Sequence, residues 1–224
     1  MRPAELTSIF NAVCATQVED DGLTFLPGSV RGEEIRETHA YAGVRLKMLA
    51  KLGNAHIDLQ VDIGFADAIT PGPVTLEYPS LLGFPAPRLS AYPRETVVAE
   101  KLEAAVSLGM QNSRMKDFYD LWIMARKFEF EGAVLSHAIR NTFDRRKTAI
   151  PADEPVALPD EFIADQTKQK QWASFLAKSG LPQVTLSEAA VTIEMLLAPP
   201  TLAAAKGRVF RGKWPPAGPW RDTK

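Results

Sequence analysis

Apolar and polar side chains alternate most regularly in residues 44–52 and 55–63, and Gly53-Asn54 separates the two runs. Alternation with a period of two on both sides of a Gly-Asn turn predicts a β-hairpin. One face of this hairpin is apolar and packs into a core. The other face carries a row of polar residues from the second strand: His56, Asp58, Gln60 and Asp62.

Other stretches place apolar residues at the three- and four-residue spacing of amphipathic helices. This spacing predicts helices over residues 3–18, 93–108, 114–127, 130–145, 160–179 and 187–197. Residues 23–26, 74–78 and 88–92 are short extended pieces, the last two within a proline-rich connection. Pro199 and Pro200 are expected to end the helical pattern.

These elements predict an α+β fold, in which a partial sheet with a β-hairpin precedes a helical C-terminal part. We expect three regions: an α/β part over residues 1–92, a helical part over 93–200, and a basic, loosely ordered tail over 201–224. Arg145, Arg146 and Lys147 make the end of the fourth helix basic. The helix dipole explains such cations, and contact with an RNA backbone is the alternative.

Composition is that of an ordinary globular protein, with 224 residues, 46% hydrophobic and 24% charged. A formal net charge of -1 excludes a global field that attracts nucleic acid or anionic membrane, so any such contact needs a local patch. The single cysteine, Cys14, excludes an internal disulfide and is interpreted as a structural thiol. No apolar run reaches the ~20 residues that span a bilayer, and we expect a cytoplasmic protein without membrane contact.

The candidate chemistry lies on the second and third helices. Lys116 and Asp120 are four residues apart and Asp117 and Asp120 three apart, so they are neighbours on one side of a helix. If the two helices fold back on each other, Lys101 approaches Asp117 and Asp120. The alternative is a solvated helix face that carries weak surface ion pairs.

Asp58 and Asp62 on the hairpin are candidate ligands for Mg²⁺, which prefers carboxylate oxygens. Four residues along a strand separate them by roughly 13 Å, too far to share one ion. At most one of them therefore belongs to a metal site. A solvated sheet face is the alternative.

The strings AEKLEA at residues 99–104 and NSRMKDFYDLW at 112–122 resemble the two late motifs of the AbiEii/AbiGii nucleotidyltransferase toxin family. That family is similar to the polymerase-beta-like nucleotidyltransferases. The likeness extends to LQVDIGFAD at residues 59–67 and LLGFPAPRLSAYP at 81–93, and so covers most of the chain.

The resemblance implies a nucleotidyltransferase that uses an NTP, with GTP as one candidate, and Mg²⁺ to modify an RNA acceptor. Lys101 and Lys116 would bind nucleotide, and Asp117 and Asp120 would be the catalytic acids. Asp62 would hold the metal, since the run around it matches the family position of a metal carboxylate. A cognate antitoxin would be encoded nearby, and no DNA partner is expected.

Members of this family begin their site with a glycine turn and a strand that carries an Asp-x-Asp pair. Gly28-Ser29 is interpreted as an ordinary turn, because no such strand follows it. We therefore expect a chain without this first module that transfers nucleotide poorly. The alternative is a non-catalytic remnant that acts as a binding or interaction module. Metal-dependent hydrolysis of nucleotides would need a carboxylate cluster that the sequence does not supply.

Overall fold

The computed structural model describes residues 2–36, 42–65, 67–81 and 83–222, and these form seven α-helices and small antiparallel sheets. The predicted α+β class with a helical C-terminal part is confirmed. The chain divides into two compact units, Met1–Asp67 and Ala68–Lys224. Residues 223 and 224, the end of the predicted tail, lie outside the described residues.

The first unit is a helix packed on an antiparallel sheet. Its described elements are α1 (Pro3–Cys14), β1 (Leu23–Phe25), β2 (Arg31–Arg36), β3 (Ala42–Leu52) and β4 (Ala55–Gly64). β3 is the central strand and pairs with the other three. The predicted β3–β4 hairpin is confirmed, with Leu52 opposite Ala55 and Gly53 in the left-handed region at φ 58°. Its apolar face is buried against Leu6 of α1.

Gly28 and Ser29 form the turn between β1 and β2. The Ser29 hydroxyl donates to the Leu26 carbonyl at 2.6 Å and accepts from the Leu49 amide at 3.0 Å. The Gly28 amide, at a backbone φ of 82°, donates to the side-chain oxygen of Asn11 at 2.7 Å. These bonds tie the turn to β3 and α1, which supports its interpretation as structural.

The second unit begins with a short hairpin and continues as a helical bundle. Its described elements are β5 (Val74–Glu77), β6 (Arg88–Ala91), α2 (Arg94–Leu108), α3 (Met115–Lys127), β7 (Phe130–Glu131), α4 (Gly132–Arg146), α5 (Asp160–Ala164), α6 (Gln166–Lys178), α7 (Leu186–Ala205) and β8 (Lys213–Trp214). α7 packs on α3 and α4, and α4 packs on α2. None of the helices in the described ranges combines the length and apolar character needed to cross a bilayer.

The two compact units divide between residues 67 and 68 rather than at the predicted boundary after residue 92. Thr70 shows why the proline-rich connection belongs with the helices. Its backbone N–H donates to the Thr96 hydroxyl of α2 at 2.9 Å, and Asn141 of α4 donates to its hydroxyl at 2.8 Å. Both bonds are polar contacts between residues distant in the sequence, which hydrophobic periodicity does not report.

The predicted helix over residues 160–179 is two helices. Asp165 adopts an extended backbone between them, with φ -67° and ψ 123°. Its carboxylate accepts from the Lys168 amide at 2.8 Å and so caps α6. The break sets the start of α6 and hence which of its residues face α3.

α7 continues through Pro199 and Pro200, so the prediction that these prolines end the helix was wrong. A proline has no backbone N–H, so Pro200 leaves the carbonyl of Leu196, four residues earlier, without its helical donor. The indole N–H of Trp220 donates to that carbonyl at 3.0 Å. A residue from the C-terminal tail thus replaces the lost helical hydrogen bond.

The predicted tail over residues 201–224 begins as the last turn of α7, and from residue 206 onward it packs against the helices rather than being loosely ordered. Trp214 is 1% exposed, and its indole N–H donates to the Ala125 carbonyl at the end of α3 at 2.7 Å. The amide of Ala217 donates to the same carbonyl at 3.0 Å. The Trp214 and Trp220 rings lie 5.5 Å apart, so the tail joins the end of α3 to the middle of α7.

We expect Trp220→Phe to destabilise the protein by about 1–3 kcal/mol, because it leaves the buried Leu196 carbonyl without a donor. Trp122→Phe is the matched control, since the Trp122 indole makes no hydrogen bond within the described part of the chain. Urea unfolding of both variants measures the difference. Equal losses of unfolding free energy in the two variants would show that the hydrogen bond from Trp220 to the Leu196 carbonyl does not contribute to stability.

Candidate functional site

Lys101 of α2 meets both motif carboxylates of α3. Its ammonium lies 2.5 Å from Asp117 Oδ1 and 2.8 Å from Asp120 Oδ2. Lys116 lies 2.6 Å from Asp120 Oδ2 and completes a group of two cations and two carboxylates, here called the Lys101 cluster. The structure thus brings together four of the five site residues suggested by the sequence.

The buried faces of α2 and α3 fix where these side chains point. On α2, Val98, Leu102 and Ala105 are buried in the core, which leaves Lys101 on the side that faces α3. On α3, the predicted apolar face is confirmed, because Phe118, Leu121, Trp122 and Ala125 are all buried. Asp117 and Asp120 lie three residues apart beside that face and reach the same lysine.

Asn112 holds the turn that leads into α3, a role that the sequence analysis missed. It is 1% exposed, and its Oδ1 accepts from the Arg114 amide at 2.8 Å. Its own carbonyl accepts from the ammonium of Lys168 of α6 at 2.8 Å. Lys168 is buried and also lies over the Phe162 ring, 5.0 Å from the centroid. An asparagine three residues before the helix start was the available signal.

The Lys101 cluster is partly buried, which strengthens its electrostatics relative to a surface ion pair. The side chains of Lys101, Asp117 and Asp120 are 16%, 21% and 26% exposed. Burial acts to lower the pKa of Lys101, but hydrogen bonds from its ammonium to Asp117 and Asp120 outweigh burial and raise it. Burial likewise acts to raise the pKa of Asp120, and its bonds with Lys101 and Lys116 lower it overall. Lys101 and Asp120 are therefore both held in their charged forms.

Glu103, on the same helix as Lys101, anchors α2 to the end of α4. Its side chain is 4% exposed, lies 2.7 Å from Arg146 Nη1 and accepts from the Thr148 hydroxyl at 2.5 Å. Arg146 also lies 3.4 Å from Glu100. From the sequence, the helix dipole or RNA contact is the expected reason for the basic end of α4. Arg146 instead pairs with α2, and a buried glutamate within AEKLEA was the missed signal.

Asp62 lies in the first unit, on the exposed polar face of β4. Arg45 of β3 binds it through two hydrogen bonds of 2.8 Å each, and Gln60 donates to both of its oxygens at 3.2 Å. The hydrogen bonds from Arg45 are the main reason why the pKa of Asp62 is lowered. The carboxylate is therefore ionised and already paired.

These surroundings do not fit a preformed Mg²⁺ site at Asp62. Both carboxylate oxygens are occupied by Arg45. In the part of the chain that the structure describes, no group of three or more His, Cys, Asp or Glu side chains is placed to hold a metal ion. The metal role of Asp62 stays a prediction that these contacts do not support.

An open groove of about 830 Å³ runs between the N-terminal turn of α3 and α6. Lys116 and Asp117 lie in its lining, which continues along α6 from Thr167 to Lys178. We call it the α3–α6 groove. Asp117 is thus shared between the Lys101 cluster and the groove, so a molecule in the groove can reach a charged group of the cluster.

The lowered pKa of Asp120 predicts how the cluster contributes to stability as pH changes. An ionised group stabilised by folding contributes fully above its unfolded pKa, about 3.9 for aspartate, and the contribution disappears as pH falls through the lowered pKa of the folded state. We expect Asp120→Asn to lower the unfolding free energy by about 1 kcal/mol at pH 7. The difference from wild type should shrink towards zero between about pH 4 and pH 2.

Chemical denaturation at several pH values measures this difference. Asp153→Asn is the control, because Asp153 is exposed and makes no ion pair in the described ranges. Its difference from wild type should stay near zero throughout. A gap for Asp120→Asn that stays constant down to pH 2 would mean that the charge of Asp120 does not take part in the cluster.

Comparison with known proteins gives one match. The family model described as nucleotidyl transferase AbiEii toxin, type IV TA system, matches residues 2–193. No curated protein and no solved structure matches the chain. The matched range includes the hairpin and all four residues of the Lys101 cluster. This chain therefore belongs to the AbiEii nucleotidyl transferase toxin family.

Proposed function

We propose that the Lys101 cluster is the phosphate-binding and acceptor-binding part of a nucleotidyltransferase that acts on an RNA hydroxyl. The observation that carries the proposal is the contact of Lys101 with both Asp117 and Asp120 in a partly buried setting. Membership of a nucleotidyltransferase-like toxin family supports the reaction class and implies an antitoxin partner. The NTP and the RNA acceptor are our inference.

In nucleotidyl transfer, the acceptor hydroxyl attacks the α-phosphorus of the NTP. A new P–O bond forms to the acceptor, the bond between the α- and β-phosphates breaks, and pyrophosphate leaves. The hydroxyl proton passes to a base and then to solvent. The protein must therefore neutralise phosphate charge, place the hydroxyl in line and accept one proton.

Lys101 suits the phosphate role. Its ammonium has three N–H donors, and Asp117 and Asp120 accept from two of them. The third donor is left for a phosphate oxygen. The two carboxylates keep the lysine charged and hold its position, so no further ordering is needed when the phosphate binds.

The two aspartates suit different tasks. Asp120 contacts both Lys101 and Lys116, and its lowered pKa makes it a weak base, so we assign it to holding the lysines in place. Asp117 lines the α3–α6 groove, where an acceptor can approach, and we assign it to orienting the acceptor hydroxyl or accepting its proton. Lys116 is 71% exposed and can bind an outer phosphate.

Nucleotidyltransferases generally use a divalent metal, which neutralises charge on the reacting oxygens when bound. The described residues do not offer a preformed ligand set, and the carboxylate of Asp62 is paired with Arg45. We therefore propose that the 224-residue chain transfers nucleotide slowly. A non-catalytic binding module remains the second candidate, favoured by the same pairing of Asp62.

Incubation of the purified chain with each labelled NTP, Mg²⁺ and a tRNA pool tests the proposal. We expect weak label transfer that falls at least about 100-fold in Lys101→Met and in Asp117→Asn, because they remove the phosphate donor and the acceptor base. Asp120→Asn should reduce transfer less. Lys127→Gln, at the far end of α3, is the charge-matched control and should keep wild-type transfer.

Asp62→Asn in the same assay decides the role of the hairpin carboxylate. A loss as large as that of Lys101→Met would place Asp62 in the active site despite its pairing with Arg45. Transfer that is unchanged in Lys101→Met and in Asp117→Asn would contradict the proposed site. No transfer by the folded wild-type chain would favour the binding module.

A further inference from the structure

The α3–α6 groove has a lining that the Lys101 cluster does not use. Ten of its twelve lining residues are polar or charged, and the other two are Met115 and Phe175. Four are cations: Arg114 and Lys116 from the start of α3, and Lys170 and Lys178 from α6. The carboxylate in this lining is that of Asp117, which is already bound to Lys101. The groove therefore presents an excess of positive charge although the whole chain is nearly neutral.

Three of the four cations lack an acidic partner. Arg114, Lys170 and Lys178 are exposed, and none of them pairs with a carboxylate within the residues that the structure describes. Other basic residues of this unit are used within the fold, as Arg146 pairs with Glu103 and Lys213 lies 3.2 Å from Glu129. Within the groove, by contrast, Arg114, Lys170 and Lys178 are available to bind a ligand of negative charge.

The cations of α6 form a row. Lys170, Ser174 and Lys178 follow one another at intervals of four residues and so share one face of α6. The two lysines, eight residues apart, are therefore about 12 Å apart along the helix axis. Lys116 and Asp117 of α3 line the same groove. A row of this length matches phosphates two nucleotides apart in an extended strand, and it exceeds the span of the clustered phosphates of a single nucleotide.

Phe175 adds a flat apolar surface between the lysines. It is half-buried and lines the groove, and its ring is supported by Tyr119 at 5.9 Å and Trp172 at 6.3 Å between centroids. A supported aromatic ring beside a cationic track is how proteins hold single-stranded nucleic acid, with bases stacked on the ring and phosphates on the cations.

We propose that the α3–α6 groove binds a single-stranded segment of the acceptor RNA, with phosphates on Lys170 and Lys178, a base against Phe175 and the reacting hydroxyl at Asp117. The proposal rests on the proposed function only for the identity of the strand as acceptor. Asp117 lies in both the groove and the Lys101 cluster, so a strand that follows the groove ends where the phosphate-binding lysine is held.

Fluorescence anisotropy with a labelled 12-nucleotide single-stranded RNA and the full chain, without NTP, tests this binding directly. Lys170→Gln with Lys178→Gln should weaken binding by roughly tenfold at low salt and reduce the slope of log K against log salt by about 1.4, since each lost phosphate contact of a single strand contributes about 0.7. The double variant Lys127→Gln with Lys206→Gln removes the same charge elsewhere in the second unit and should bind like wild type. Phe175→Leu, checked for folding by circular dichroism, should weaken binding roughly fivefold or more.

Equal RNA affinity in the two lysine double variants would overturn the proposal, whether or not the chain transfers nucleotide. Displacement of the RNA by inorganic triphosphate or by oligoglutamate at equal charge concentration would also overturn it, in favour of a compact anion pocket or an acidic protein partner. The two proposals can also separate. If Lys170→Gln with Lys178→Gln loses RNA binding but the wild-type chain transfers no nucleotide, the groove is supported as an RNA site and the proposed reaction is refuted. Loss of transfer in Lys101→Met with unchanged RNA affinity would support both.

Discussion

The contact of one lysine with two carboxylates across the α2–α3 pair is the constraint on which the site depends. Taking charges out of water is costly, and apolar residues in their place can be equally stable, so a partly buried charge cluster is weak evidence for stability alone. It is better explained by a task that needs a fixed ammonium. Lys101 meets that need, because Asp117 and Asp120 hold it charged and leave one donor for a ligand.

Several further contacts keep this arrangement in place. Glu103 fastens α2 to the end of α4 through Arg146 and Thr148, and Lys168 fastens the turn before α3 through the carbonyl of Asn112. The tail completes the second unit, since its tryptophans satisfy carbonyls of α3 and α7. Removal of any one of these contacts is expected to shift Lys101 relative to Asp117 and Asp120, because a helix moves although no residue of the Lys101 cluster is changed.

Hydrophobic periodicity predicted the β3–β4 hairpin, the core face of α3 and the approach of Lys101 to the two aspartates, because each depends on repeats within one or two adjacent elements. It failed where single polar contacts between distant residues decide the outcome. Thr70 hydrogen-bonds to Thr96 of α2, so residues 68–92 belong to the second unit. Trp220 donates to the carbonyl that Pro200 leaves without a donor, so α7 can continue through Pro200. Arg45 pairs with Asp62 across the hairpin, a contact that follows from register and not from residue type.

A double-mutant cycle between Lys101→Met and Asp117→Asn tests the central claim most directly, since it isolates the coupling of the two charges in the folded protein. The account predicts that the losses of unfolding free energy at pH 7 are not additive, with a coupling of about 1–3 kcal/mol. Additive losses, with a coupling near zero, would show that the lysine and the aspartate do not form the cluster from which the proposed chemistry is built.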